Sequence, residues 1–230
     1  MWYNNTGDNM NVLVACEESQ TVTIAFRENG HNAFSCDIQE CSGGHPEWHI
    51  SGDVTPYING NCVFTTMDGA IHKLAGKWDL IIAHPPCTYL SKAGARWLYP
   101  KANVIDKERL ELAFAAKDFF MKFLHADCDR ICVENPVALN IVGLPSPTQK
   151  IQPYEFGHPY SKKTCLWLKG LPKLQPTDVL SEYKPYLPSN VSGSKKGQGG
   201  SNGVISHNSK LASKTFPGIA KAMANQWGIY

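Results

Sequence analysis

No stretch of the 230-residue sequence approaches the roughly 20 consecutive apolar residues that a membrane span needs. The opening residues, Met1-Trp2-Tyr3-Asn4-Asn5, carry neither a basic segment nor an apolar run, so no export leader is expected and the reading is a cytoplasmic protein without a membrane partner. No internal repeat is visible, which argues against solenoids and propellers. No G-x-G-x-x-G turn lies between Val14 and Ile24, so a nicotinamide or flavin dinucleotide is not expected. The eight cysteines include no C-x2-C knuckle. Their nearest approaches, Cys36-x4-Cys41 followed by His45 and His49, and Cys128-x3-Cys132, are weak zinc spacings. A chain of this length has no need of disulfide staples, so reduced thiols and no metal are expected.

What is present is an ordinary globular composition: 43% hydrophobic and 18% charged residues, enough for one α/β domain with its own core and at most a small appendage. The charge is unevenly placed. Residues 1–149 hold 11 basic against 17 acidic side chains, whereas residues 150–230 hold 11 against 3. A basic third on an acidic body is the asymmetry expected where one part faces a polyanion, the alternative being a solvated basic surface. Ser189–Ser209, nearly free of large apolar residues, reads as a loop, with Lys195, Lys196 and Lys210 on or beside it as phosphate contacts.

Short apolar runs alternate with longer amphipathic ones. Asn11–Cys16, His31–Asp37, Trp78–Ala83, Arg130–Glu134 and Thr164–Leu168 read as strands; Glu17–Asn29, Lys107–Leu124 and Phe216–Trp227 read as helices, the last with Pro217 in its first turn. This predicts an α/β fold, a doubly wound and mostly parallel sheet. Residues 1–150 would form the core, 151–209 a short basic irregular extension, and 210–230 a helix packing back on the core.

In such a sheet ligands sit beyond the carboxyl ends of the strands, so the residues after each strand carry the functional reading. Asp37, ending the second strand, is placed to accept hydrogen bonds from ribose hydroxyls. After Trp78–Ala83 comes His84-Pro85-Pro86-Cys87, which sets a thiol on a rigid turn at the edge of a buried strand, a candidate nucleophile. A plain loop thiol is the bland alternative; Cys16, Cys36, Cys132 and Cys165 lie in apolar runs and read as small hydrophobes. Glu134, followed by Asn135-Pro136, sits at the end of another strand, where it could face Cys87 as an acid with a tuned pKa.

These residues resemble the cytosine-5 DNA methyltransferases, and more narrowly their short, phage-type relatives. Pro86-Cys87 looks like the Pro-Cys nucleophile motif and Glu134-Asn135 like the Glu-Asn motif. Asp37, with Ile38 beside it, resembles the acid that holds the cofactor ribose. Gly52-Asp53-Val54 resembles the segment that contacts the adenine, and Lys214–Gly228 the C-terminal motif that folds back onto the cofactor site. The resemblance implies a methyltransferase fold, S-adenosyl-L-methionine as cofactor and DNA as partner, duplex with its target cytosine extruded. It implies Cys87, Glu134, Asn135 and either Lys162 or Lys163 as catalytic residues. Cofactor contacts would come from Cys16, Glu17, Glu18, Ser19, Asp37, Ile38, Asp53, Val54, His84, Pro85 and Pro86.

The sequence departs from the family pattern in three places. Ala15-Cys16-Glu17-Glu18-Ser19 stands where Phe-x-Gly-x-Gly is usual. Tyr160-Ser161-Lys162-Lys163-Thr164 replaces Gln-x-Arg-x-Arg, and the span between Leu168 and Lys210 is too short for a long target-recognition domain. Three rivals stay open: an amino-methyltransferase, whose [Asp/Asn/Ser]-Pro-Pro-aromatic motif shares the two prolines; a pyrimidine methyltransferase acting on a free nucleotide or RNA; and a non-catalytic nucleic-acid-binding module.

Overall fold

The computed structural model describes residues 2–3, 9–101, 104–186 and 213–229. The predicted loop Ser189–Ser209 and Lys195, Lys196 and Lys210 lie outside the described residues. In chain order the first half contains β1 (Trp2–Tyr3), β2 (Asn11–Ala15), α1 (Thr21–Glu28), β3 (Asn32–Asp37), β4 (His49–Ser51), β5 (Cys62–Thr65), β6 (Ile71–Leu74) and β7 (Leu80–Ala83). There follow α2 (Ala95–Leu98), α3 (Lys107–Leu124), β8 (Ile131–Pro136), β9 (Gln149–Ile151), β10 (Tyr160–Ser161), β11 (Thr164–Lys169), β12 (Lys184–Pro185) and α4 (Pro217–Trp227).

Seven strands form one mixed, mostly parallel sheet in the order β4-β3-β2-β7-β8-β11-β9. All its pairs are parallel except those of β11, which runs antiparallel to both β8 and β9. Chain order is therefore reversed between β2 and β7, as in an open doubly wound sheet, with one antiparallel strand inserted near the far edge. Every residue of β2 and of β7 is buried, which is why both read as unbroken apolar runs.

The period-2 alternation of those strands sends their side chains into two cores. Val12, Val14, Leu80, Ile82 and Cys132 pack with Phe26 of α1 and Met223 and Trp227 of α4. Leu13, Ala15, Ile81, Ala83 and Val133 face the other way, against Phe120 and Phe123 of α3. Full burial of each such large side chain contributes about 1.5–3 kcal/mol. Helices thus cover both faces. Helix α3 has the bounds expected from its periodicity, and its N-cap Asp106 accepts from the Arg109 amide at 2.9 Å. Pro217 opens α4 where its missing N–H leaves no helical bond unmade.

Strict strand–helix alternation does not hold. Between β4 and β7 the chain forms the antiparallel pair β5 and β6 instead of a helix, and β1 joins them in a small three-stranded sheet ordered β1-β6-β5. It turns Phe64, His72 and Leu74 inward, with Phe64 edge-on to Phe34 at 5.0 Å, and so covers the same face as α3. Among the described residues no helix is long and apolar enough to cross a membrane.

Candidate active site

The order reversal leaves a crevice beyond the carboxyl ends of β2 and β7, and a pocket of about 320 Å³ lies there. Its walls come from the turn after β2 (Cys16, Glu17, Glu18, Ser19), the end of β3 (Asp37, Gln39), the turn after β7 (His84, Pro86, Cys87, Thr88) and the approach to α4 (Ser213, Lys214, Thr215).

The turn after β2 explains how the chain manages without a glycine-rich sequence. Cys16 and Gln20 both take left-handed backbone conformations, with φ of 59° and 57°. Because Gln20 is held that way, α1 begins at Thr21, later than its apolar spacing suggests. Gln20 makes no side-chain cap. Instead the buried Glu17 carboxylate reaches forward, accepting from the Val22 amide at 2.6 Å and from the Thr23 amide and hydroxyl at 3.2 and 2.7 Å. These are orphan amides of the first helical turn, where a negative group is favoured. Burial nevertheless pushes the Glu17 pKa up, with the His84 charge and these hydrogen bonds only partly offsetting it. Burial and the charge of Asp37 also push the Cys16 thiol up, so it stays protonated. Glu18 faces Lys214 at 3.9 Å, and the Lys214 ammonium donates to Ser42 Oγ at 3.0 Å.

Asp37 Oδ1 accepts from the Gln39 amide at 2.9 Å, and Ile38 beside it is 81% exposed, an isolated apolar face next to a carboxylate. Asp53 closes a turn onto the Thr55 amide and hydroxyl, which holds its pKa below the usual carboxylate range. Two residues expected at the cofactor turn inward. The Val54 side chain is part of the core, and Pro85 is buried outside the pocket wall, so neither presents a side chain to a ligand.

The neighbouring strands β7 and β8 set the rest in register. Ala83 pairs with Val133, so the next residues, His84 and Glu134, lie side by side, with His84 Nδ1 and Glu134 Oε2 3.1 Å apart. One residue further on, Asn135 Nδ2 donates to the Pro85 carbonyl at 2.9 Å and pins the Pro-Pro turn. Asn135 thus acts on the backbone that carries Cys87. The Cys87 carbonyl accepts from the Leu90 and Ser91 amides, which fixes the half-buried thiol at the start of the next turn. Burial, then the Glu134 charge, push this thiol's pKa up, while Lys162 pulls it down. Burial also opposes charge on Glu134 and His84. Their mutual hydrogen bond and attraction outweigh it, holding the Glu134 pKa low and the His84 pKa high.

An antiparallel strand begins where its parallel neighbours end, so the residues ahead of β11 reach the site. Of the two candidate lysines, half-buried Lys162 acts on Cys87, Glu134 and His84, whereas exposed Lys163 acts on Cys165. The weighed zinc cluster does not assemble. His49 spends both ring nitrogens on Ser35 Oγ and the Gln39 carbonyl, and His45 stacks on Trp48. Among the described residues no group of three or more His, Cys, Asp or Glu side chains could hold a metal.

Sequence reasoning placed Glu134 as an acid for a ligand and His84 as a cofactor contact, and missed that the two bind each other. No local signal marked it: His84 follows β7 and Glu134 lies within β8, and only the register of the two strands sets them side by side. The Lys214–Gly228 segment was expected to fold back onto the cofactor site, and Lys214 does line the pocket; Glu17 as the cap of α1 was missed. No family model matches the chain, and no curated protein matches it.

Proposed function

We propose that the protein is an S-adenosyl-L-methionine-dependent methyltransferase that methylates carbon 5 of cytosine in DNA through a covalent Cys87 adduct. The observation that carries this reading is the convergence of Cys87, Glu134 and Lys162 on one end of the sheet, next to a pocket that also holds Asp37. The seven-strand order and the resemblance of Pro86-Cys87 and Glu134-Asn135 to the family's motifs support the methyltransferase fold.

The pocket fits the cofactor in donor chemistry. From the pocket wall Asp37 offers a carboxylate for the ribose hydroxyls and Lys214 a cation for the amino-acid carboxylate, while Ile38, outside that wall, offers an exposed apolar face for the adenine. When bound, the cofactor supplies a methyl group on a sulfonium centre. Carbon 5 of a pyrimidine is a poor nucleophile, so Cys87 as thiolate adds to carbon 6, and Glu134 hydrogen-bonds ring nitrogen 3 to relieve the charge that develops. Lys162 stabilises the thiolate. Carbon 5, now enamine-like, takes the methyl group by in-line displacement; loss of its proton then expels the thiol. In a duplex the target base must first leave the stack, at a cost of a few kcal/mol. The basic residues of 150–230, with Lys195, Lys196 and Lys210, supply the phosphate contacts.

The test is transfer of labelled methyl groups to duplex DNA, single-stranded DNA, RNA and free nucleotides, with Cys87→Ser as the partner variant. Methylated duplex DNA from the native protein and none from Cys87→Ser, with cofactor binding intact in both, is the expected result. Near-normal turnover by Cys87→Ser ends the thiol mechanism, and faster methylation of a nucleotide or RNA replaces DNA as substrate.

A further inference from the structure

His84 stands where the family resemblance assigns no catalytic duty, yet it is the residue through which the two halves of the site meet. We propose that His84 is the proton reservoir of the reaction: as the pyrimidine enters, its Nδ1 proton passes to Glu134, creating the neutral carboxylic acid that ring nitrogen 3 requires. This rests on the methyltransferase reading above and names the source of a proton that reading leaves unassigned.

The geometry supports it in three ways. The proton has a direct path, since Nδ1 and the Glu134 carboxylate are already hydrogen-bonded at 3.1 Å with both side chains almost wholly buried. Solvent therefore has little access to protonate Glu134 itself. Second, the imidazole feels two carboxylates from different strands, its hydrogen-bond partner Glu134 on β8 and the buried Glu17 after β2. Both favour its cationic form, against burial and the charge of Lys162 ahead of β11. Cys87 stands on the same turn, and Cys16, Glu18, Asp37 and Lys214 are the titratable groups of the adjoining pocket. Third, His84 Nε2 and Asn135 Oδ1 are buried without hydrogen-bond partners among the described residues, two polar atoms that a ligand could satisfy.

The balance closes over one cycle. The Nδ1 proton moves to Glu134, leaving a neutral imidazole and a neutral acid. Cys87 releases its thiol proton to water, and its sulfur electron pair forms the bond to carbon 6. The carbon 5–carbon 6 π pair shifts toward carbon 5 as Glu134 gives its proton to nitrogen 3. Methyl transfer would leave the cofactor as a neutral thioether; the carbon 5 proton then goes to a water base, its bonding pair re-forms the carbon 5–carbon 6 double bond and expels the sulfur with its electron pair, the thiolate takes a proton back from water, and the nitrogen 3 proton returns through Glu134 to His84. Protonating Glu134 also removes the negative charge that opposes the Cys87 thiolate, so one proton movement prepares both groups.

His84→Asn tests this, because the asparagine amide can still donate to Glu134 from the Nδ1 position but has no proton to give. The expected result is kcat lowered about a hundredfold at neutral pH, read at saturating cofactor and DNA because His84 also lines the cofactor pocket. The native enzyme should show a falling alkaline limb in its pH profile, and the variant should lose it. A lowered kcat with that limb intact would mean that His84 only positions Glu134, and overturns the relay. If the variant fails to fold, the native protein decides the matter through its His84 imidazole NMR signal. That signal should report a cation at pH 7 in the free protein and a neutral ring once DNA carrying 5-fluorocytosine has trapped the Cys87 adduct. A ring neutral in both states, or cationic in both, overturns the proposal. A native protein that forms no adduct with that DNA while its imidazole is cationic fails the methyltransferase reading, and the relay falls with it.

Discussion

Glu17→Ala isolates the turn after β2, because its effect follows from three hydrogen bonds and nothing about the substrate. The variant removes the acceptor for the Val22 and Thr23 amides and for the Thr23 hydroxyl, and both residues are fully buried. A buried donor left unpaired costs about 1–3 kcal/mol, so the two amides alone set a range of roughly 2–6 kcal/mol. Two effects reduce it. Burying the Glu17 carboxylate is itself unfavourable, as its raised pKa shows, and the pocket lets water reach part of the vacated space. A net loss of about 3 kcal/mol is expected, above the roughly 0.5–2 kcal/mol of a single helix cap because several buried donors lose their acceptor, and equivalent to roughly 6–12 °C in Tm for a domain of this size. Glu17→Gln keeps one acceptor oxygen and should lose about half as much. Thermal melts followed by circular dichroism, with urea titrations to confirm an unchanged m-value, measure both. A Glu17→Ala melting point within about 2 °C of native would refute the reasoning, since that carboxylate could then not be the cap of α1.

Asp37→Ala should weaken binding of S-adenosylhomocysteine more than tenfold, a loss of about 1.4 kcal/mol or more in charge-assisted hydrogen bonds; an unchanged Kd by calorimetry would remove Asp37 from the site. Lys162→Gln should slow Cys87 adduct formation several-fold more than Lys163→Gln, because only Lys162 acts on the thiol and on Glu134; equal rates would contradict that assignment. The His84–Glu134 pair also predicts a pH window of stability. The raised His84 pKa makes its contribution complete below the ordinary histidine value of about 6.5 and lost as pH rises through the folded value. The lowered Glu134 pKa makes its share present above the ordinary carboxylate value and lost as pH falls through the folded one. Melting temperatures of the native protein and the His84→Asn/Glu134→Gln double variant should therefore differ most near pH 5–6.5 and converge on the alkaline side; a constant difference up to pH 9 would count against it.

The central strands were legible because burial on both faces leaves continuous apolar runs, and α3 because its apolar spacing extends over many turns. The small sheet was not. In β5 and β6 the inward positions include His72 while Val63 and Ile71 face out, so the alternation carries no clean apolar face. β4 and β9 are three residues each, too short to register as periodic. At the site, the residues brought to one end of the sheet were readable as strand ends, since topology alone gathers them. Their partners were not: a contact between His84 and Glu134 depends on strand register, the inward turn of Val54 on the path of a loop, and the cap by Glu17 on a left-handed Gln20. None of these leaves a mark on local sequence.

The docking of α4 on α1 sets a timing problem for synthesis. Phe26 of α1 is buried beside Met223 and Trp227 of α4, and Asn29 just after α1 bonds Asn225 at 3.0 Å, across nearly the full span of the chain. At translation rates of about 5–20 residues per second, roughly 10–40 s separate the emergence of the two helices. Once α3 has been made, the nascent sheet has one face covered locally, by α3 and the small sheet, and the other open beside α1. The native fold therefore closes only after residue 227 has been made. Until then the growing chain presents an apolar face that a holding chaperone would recognise, and a ribosome stalled before residue 217 would release a species whose active-site end can assemble but whose core cannot close.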